Sequence, residues 1–333
     1  MPTPSQSDLH INAPLTSVSV AYLQDSDVFI ADKVFPKVPV QKQSDLYWKY
    51  SKSDWRRTDV QRRAPSTESP GVGWNVTTDQ YFAHVYAVHK DIDDQLRANA
   101  DSNFNLDSDS TKFITNQLLL KRDLDFAATY LQTGVWATEY TGVSASPTGS
   151  QFLQWNNASS DPIMAINSWI VSFRQLTGFA PNILVLGALT FQTLRQHPLI
   201  VDRIKYTQRG IVTEELLAAL FGVPKIVVSY ATKETSSAQY GDSIVQDANA
   251  SYAFITDSKS AALFYAPPAA SLMTPSAGYI FTWNGYAAGN GEGIRVKSFR
   301  MEHLASDRIE AEMTYDMKAV ATDMGVFINS AVA

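Results

Sequence analysis

Cysteine is absent from all 333 residues, and with it go disulfides, thiolate nucleophiles and cysteine-held zinc. Stability must then come from packing and assembly. Long apolar runs are missing too, so no membrane span is expected. The opening "MPTPSQSDLHINAP" has neither a basic n-region nor an apolar h-region, so no signal peptide is expected and the chain reads as made and used in a cytoplasm. Recognisable catalytic patterns are equally scarce. No Gly-x-Ser-x-Gly, His-Glu-x-x-His or phosphate-loop motif occurs, and no Ser/His/Asp set can be picked out.

The nearest approaches to a motif each fall short. Asp101, Asn103 and Asn105 stand where a calcium loop would put its first ligands, but the sixth position is Leu106 and the twelfth is Lys112, where such a loop needs Gly and a bidentate Glu. A loop and N-cap cluster leading into a helix is the expectation there. His84 and His89 are five apart in a strand-like run, hence on opposite faces, and cannot chelate one ion without a bulge. "GNGEG" at 289–293 lacks the strand-to-helix context of a nucleotide fingerprint and reads as a hairpin turn. Asp93 with Asp94, and Glu214 with Glu215, read as solvated helix-start charges. No catalytic residue, cofactor or metal is therefore expected.

Hydrophobic residues at 45% and charged residues at 18% describe an ordinary folded chain, long enough for about two domains. Charge becomes informative once it is divided. The whole holds 27 basic and 33 acidic residues. Residues 45–74, "DLYWKYSKSDWRRTDVQRRAPSTESPGVGW", hold six and four of these, which leaves 21 against 29 elsewhere: +2 for the stretch and −8 for the remainder. A net-acidic chain is a poor general polyanion binder. The stretch has two candidate targets, nucleic acid or the acidic surface of another copy of the same chain.

Residues 1–40 are rich in Pro, Ser and Asp, and Pro36 and Pro39 hold "VFPKVPV" extended; this reads as an arm. Alternation in "YFAHVYAVH", with turn-forming "APSTESPG" before it, predicts a long two-stranded excursion. Such a ribbon is marginal alone and needs something to lie on. A long helix is expected over residues 110–132, with Phe113, Leu120, Leu124, Ala127 and Leu131 on its apolar stripe and Lys121, Arg122 and Asp125 mostly off it. Further helices are expected over 163–176 and 190–204. Another should open at Thr213, with Gly222 at its C-terminal stop. The strands "NILVLGA" and "KIVVSY" lie between them, and the tail from about 279 to 327 returns to strand patterns.

The segments 29–57, 87–101 and 200–229 resemble major capsid proteins of tailed bacteriophages, and the order of elements matches over nearly the whole chain. That capsid fold is shared with encapsulins and the herpesvirus capsid floor. The resemblance implies an α+β fold: an N-terminal arm over 1–40, an extended β-ribbon loop over 41–80, a peripheral domain with a long spine helix over 81–158 and 275–333, and an axial domain of helices around a sheet over 159–274. It implies a non-enzymatic head protein of the virion, self-assembling as pentamers and hexamers into an icosahedral shell around double-stranded DNA that it does not read by sequence. Its other expected partners are a portal and a separate scaffolding protein, with assembly in the host bacterial cytoplasm and no membrane contact. On this reading the ribbon lies across a neighbouring subunit, with Trp48 and Trp55 burying apolar area and Lys49, Lys52, Arg56, Arg57, Arg62 and Arg63 meeting its charge. Crosslinking between Lys and Asn, as in some relatives, is not expected, because the tip at 62–73 has no lysine. The alternatives are an encapsulin-type compartment and, of a different class, a soluble nucleic-acid-binding protein or a metal hydrolase.

Overall fold

The computed structural model describes residues 24–100, 105–204, 212–236, 251–271, 273–286 and 293–333. The first 23 residues of the expected arm, positions 101–104 of the calcium-like loop and most of the 289–293 turn lie outside them. The chain enters through a short helix α1 (Ala31–Val34) and strand β1 (Lys37–Val40), then runs out and back as β2 (Ser44–Tyr50) and β3 (Val76–Phe82). Next come β4 (His84–Asp93), α2 (Asp94–Asn99), the long α3 (Leu106–Tyr130), β5 (Thr138–Val143) and β6 (Gln151–Leu153). The middle of the chain holds α4 (Pro162–Thr177), β7 (Ile183–Gly187), α5 (Ala188–Gln196), α6 (Pro198–Ile204), α7 (Glu214–Phe221) and β8 (Lys225–Ser229). The remaining strands are β9 (Thr232–Glu234), β10 (Tyr252–Phe254), β11 (Ala261–Phe264), β12 (Gly278–Trp283), β13 (Ile294–Met301), β14 (Ser306–Ala319) and β15 (Gly325–Asn329).

Two larger sheets organise these strands. In the first, β14 pairs antiparallel with β4 along one edge and with β13 and then β12 along the other, and β1 adds parallel to β12. Alternation along β14 makes this possible: Ile309, Ala311, Met313, Tyr315 and Met317 are buried on one face, and Arg308, Glu310, Glu312 and Asp316 take the other. The second sheet runs β6-β5-β15-β11-β7-β8. Its strands β7 and β11 are buried throughout, as strands covered on both faces must be. Strands β5, β6 and β15 come from the stretches expected in the peripheral domain and hydrogen-bond into the sheet of β7, β8 and β11.

The helix ends follow their capping chemistry. Thr213 accepts from the Leu216 N–H at 3.4 Å to open α7, and Gly222 closes that helix at φ +68°. Asp161 accepts from Met164 N at 2.8 Å ahead of Pro162, the first residue of α4. The single helix expected over 190–204 is instead two. His197 is extended at ψ 128° because it precedes Pro198, which disfavours helical geometry in the residue before it.

Helix α3 spans 25 residues, about 38 Å at 1.5 Å per residue, but its main buried face is not the expected one. Ile114, Leu118, Arg122, Phe126 and Tyr130 are buried, while Phe113 is 52% exposed. The Leu120, Leu124 and Ala127 stripe instead packs on a smaller cluster with Phe29, Ala231 and Ile255. The expectation failed at Arg122 because a buried charge is tolerated when its partners are supplied from elsewhere in the chain. Arg122 donates to Asp32, which Lys37 also meets at 2.9 Å. Its neighbour Asp123 accepts from the backbone N–H groups of Ile30 (2.9 Å) and Ala31 (2.7 Å), capping α1. Burial pushes the Asp123 carboxyl up to about 6, against the lowering effect of those two N–H groups and Arg122.

A carboxyl whose folded pKa is raised penalises the native state once it ionises, so its contribution improves as pH falls from 7 toward 4, by up to about 3 kcal/mol. The difference in urea stability between the wild type and Asp123→Asn should move in that direction over this window. A difference that stays flat with pH would refute the assignment.

The core is continuous between the two sheets, and Phe35 sits at the junction. Its ring meets Phe126 at 5.1 Å and Tyr130 at 5.0 Å on α3, Trp136 at 6.5 Å, and Phe264 of β11 at 6.3 Å. A Cβ at Gly278, in β12, would come within 2.3 Å of the same ring. Glycine there is what lets the sheet close over Phe35.

Candidate functional site

The ribbon is the part of the molecule with surface to spare. β2 and β3 pair from Ser44↔Phe82 to Tyr50↔Val76, and alternation gives the pair two unlike faces. The inner face carries Tyr47, Lys49, Asp79 and Tyr81. Phe281 stacks on Tyr81 at 4.6 Å and on Tyr47 at 5.6 Å, which seats the ribbon base on the first sheet. Lys49 pairs with Asp79 at 3.1 Å, and the Tyr47 hydroxyl donates to the same carboxylate at 3.0 Å. The Gln80 N–H, then Lys49 and Tyr47, hold Asp79 below the usual carboxylate range; burial and that bond push the Tyr47 phenol up. The outer face carries the exposed Leu46, Trp48 (63% exposed) and Val76 beside a half-buried Tyr50, and farther out Trp55, Val60, Val72 and Trp74 are also exposed. An isolated exposed apolar side chain means little, but here several are gathered on one projecting ribbon.

The basic residues singled out in the sequence are placed unequally. Lys52 pairs with Asp323 at 2.5 Å. Arg56 donates to the carbonyl of Leu176, at the end of α4, at 2.7 Å. Arg57 pairs with Asp59 at 2.9 Å and reaches Asp54 at 3.9 Å, and Arg63 donates to the Thr67 carbonyl at 2.5 Å. Arg62 alone of the set has no hydrogen bond or ion pair among the described residues. The structure therefore brings Trp55 and Trp74 together, at 6.1 Å, and commits most of the cations within the subunit. Trp74 is the exposed aromatic that sequence reasoning passed over. Its cue was position: it sits just ahead of β3, across the ribbon from Trp55.

Elsewhere the charged groups neutralise one another. Arg308 grips Asp91 with two bonds of 2.7 and 2.8 Å, Arg97 grips Asp107 with 2.9 and 2.8 Å, and Arg300 bridges Asp94 and Asp307. These arginines hold Asp91, Asp94 and Asp107 below the ordinary carboxylate range. Of the calcium-like run, Asn105 caps α3 by accepting from Ser108 N at 3.1 Å, and Asp107 is the carboxylate taken by Arg97. Among the described residues no group of three His, Asp or Glu side chains could hold a metal ion, and no helix is long and apolar enough to cross a membrane.

An extended ribbon, a long helix laid on a sheet threaded by the tail, and a second sheet wrapped in short helices define an architecture with known counterparts. The chain matches the major capsid protein of Burkholderia phage BcepMu at 26% identity over 221 residues, 66% of this chain and 69% of that one. It matches the major capsid protein of Pseudomonas phage JBD67 at 28% over 232 residues, 68% and 71% of the two. Among solved structures, a phage-related protein of Bordetella bronchiseptica superposes with a TM-score of 0.67 at 20% identity, covering 92% of this chain and 93% of that one. The capsid of cyanophage P-SCSP1u gives 0.57 at 12%, covering 99% of both. The chain has the tailed-phage major capsid fold. No family model matches it. An encapsulin of Synechococcus elongatus shares the fold more distantly, with a TM-score of 0.52 at 8% identity over 96% of this chain and 92% of that one. With phage head proteins as its sequence relatives, the chain is a capsid shell subunit and a virion component.

In that fold the ribbon takes the place of the extended loop and α3 that of the spine helix.

Proposed function

We propose that this subunit closes, as pentamers and hexamers, into an icosahedral head around double-stranded DNA, its ribbon lying across a neighbouring copy. The observation that carries this is the ribbon's outer face: Leu46, Trp48, Val76 and the Trp55–Trp74 pair project apolar area that the subunit's own core does not cover. A second copy is the partner that recurs around a closed shell. Trp48, Trp55, Arg62 and Arg63 make the intersubunit contact, and Lys49, Lys52, Arg56 and Arg57 hold the ribbon that presents it. The domain division is proposed to follow the sheets, with β5, β6 and β15 joined to the axial unit. A separate scaffolding protein and a portal serve assembly in the host cytoplasm. The net charge of −6 suits a container that must not clamp its DNA, and no catalytic step is assigned to it.

The purified chain, alone or with a scaffolding partner, is expected to form closed hollow particles in sedimentation and electron microscopy. Persistent monomers under both conditions would end the shell reading. Particles filled with a protein cargo rather than DNA would favour the encapsulin alternative.

A further inference from the structure

The ribbon does not leave the body as a free hairpin. Part-way out, residues 51–57 fold into a knuckle. The N–H groups of Arg56 and Arg57 both reach back to the Ser53 carbonyl, at 3.2 and 3.0 Å. Asp54 accepts from the backbone and side-chain N–H of Asn75 across the ribbon, at 2.8 and 3.2 Å. Trp55 packs between Tyr50 (6.2 Å) and Trp74 (6.1 Å).

From this knuckle two cations reach the body of the same subunit. Arg56 meets the carbonyl of Leu176 in the last turn of α4, where unpaired carbonyls and the negative end of the helix dipole favour a cation. Lys52 meets Asp323, in the 3₁₀ turn Thr322–Met324. That turn is itself pinned: its Thr322 and Met324 carbonyls accept from Ala137 N at 3.1 Å and Tyr265 N at 3.0 Å. Gly178 completes the seat. Its φ of +81° ends α4, and a Cβ there would lie 2.5 Å from the Arg56 guanidinium.

From this geometry we propose that Lys52 and Arg56 form an intrasubunit clasp that fixes the bearing of the ribbon before it meets a neighbour, making them positioning residues for assembly. The inference rests on the shell reading above for its consequence, but the clasp itself belongs to the single subunit. It presents the docking face rather than hiding it: with both contacts made, Leu46, Trp48 and Trp74 remain more than half exposed. A clasp that blocked assembly would have to cover them. Each contact is weak, because both are surface interactions. What they supply is preorganisation, since a ribbon free to swing is competent to dock only for the fraction of time it points correctly.

The absence of cysteine makes the clasp measurable. Spin labels on Glu68→Cys, near the ribbon tip, and Asn167→Cys, at an exposed position of α4, should give a narrow distance distribution by pulsed electron paramagnetic resonance. Lys52→Ala with Arg56→Ala should broaden it while circular dichroism stays unchanged, and Lys52→Glu with Asp323→Lys should narrow it again relative to Lys52→Glu alone. In assembly, the double alanine variant should leave roughly tenfold more free subunit beside its particles, equivalent to about 1.4 kcal/mol. An unchanged distribution would show that no clasp exists. A broadened distribution with normal or faster assembly would show that the clasp does not preorganise docking. If the wild type made no particles at all, the shell reading would fall while the distance measurement still decided the clasp.

Discussion

Reversing Arg62 and Arg63 to Glu should abolish particle formation and leave the subunit folded. Both residues lie on the exposed outer part of the ribbon. Arg62 has no internal partner among the described residues, and Arg63 meets only the nearby Thr67 carbonyl. Neither touches a core, so the folding free energy should change by no more than about 0.5 kcal/mol. At a contact with a neighbour the arithmetic is different. Like charges brought together at a partly desolvated interface cost on the order of several kcal/mol, and every subunit in a shell repeats the penalty. Folding and assembly should separate in this one variant. Normal particles from it would remove the ribbon tip from the interface. Normal particles combined with lost DNA affinity and a shallower salt dependence would instead support the nucleic-acid reading of the basic stretch.

Phe35→Ala is expected to be the most destabilising single change, at about 3–5 kcal/mol by urea denaturation. The ring is fully buried where α3, β11 and β12 converge. Its loss opens a cavity at the junction of both sheets, which neither can collapse to fill. Phe113→Ala is the matching control, since that side chain is half exposed on the outside of α3; its effect should stay within about 0.5 kcal/mol. Equal effects from the two would show that Phe35 anchors the junction no more than the half-exposed Phe113 does.

That contrast also measures what the sequence makes legible. Local chemistry was readable where Thr213 and Gly222 bracket α7, whereas the alternating run 81–89 expected in the ribbon falls mostly in β4, which pairs with β14. The resemblance to capsid proteins carried the element order and the role. What stayed hidden was non-local. An apolar stripe on α3 looked complete without Arg122 and Asp123, because their partners, Asp32 and the amides of Ile30 and Ala31, lie about ninety positions away. The make-up of the second sheet was hidden for the same reason, since β15 pairs with strands that precede it by many residues. At the ribbon, charge counting could not tell which cations the subunit would occupy for itself.

The position of β15 in that sheet reaches beyond architecture. It lies between β5 and β11, not at an edge, so the sheet is in two pieces until residues 325–329 arrive. A chain still on the ribosome, or one cut short before that point, exposes two unpaired strand edges and lacks the pairing that joins them. Joining the two pieces is thereby tied to the synthesis of residues 325–329. A lattice that admits only subunits with a finished axial sheet would proofread its own building blocks, discarding truncated copies before they could poison a growing shell.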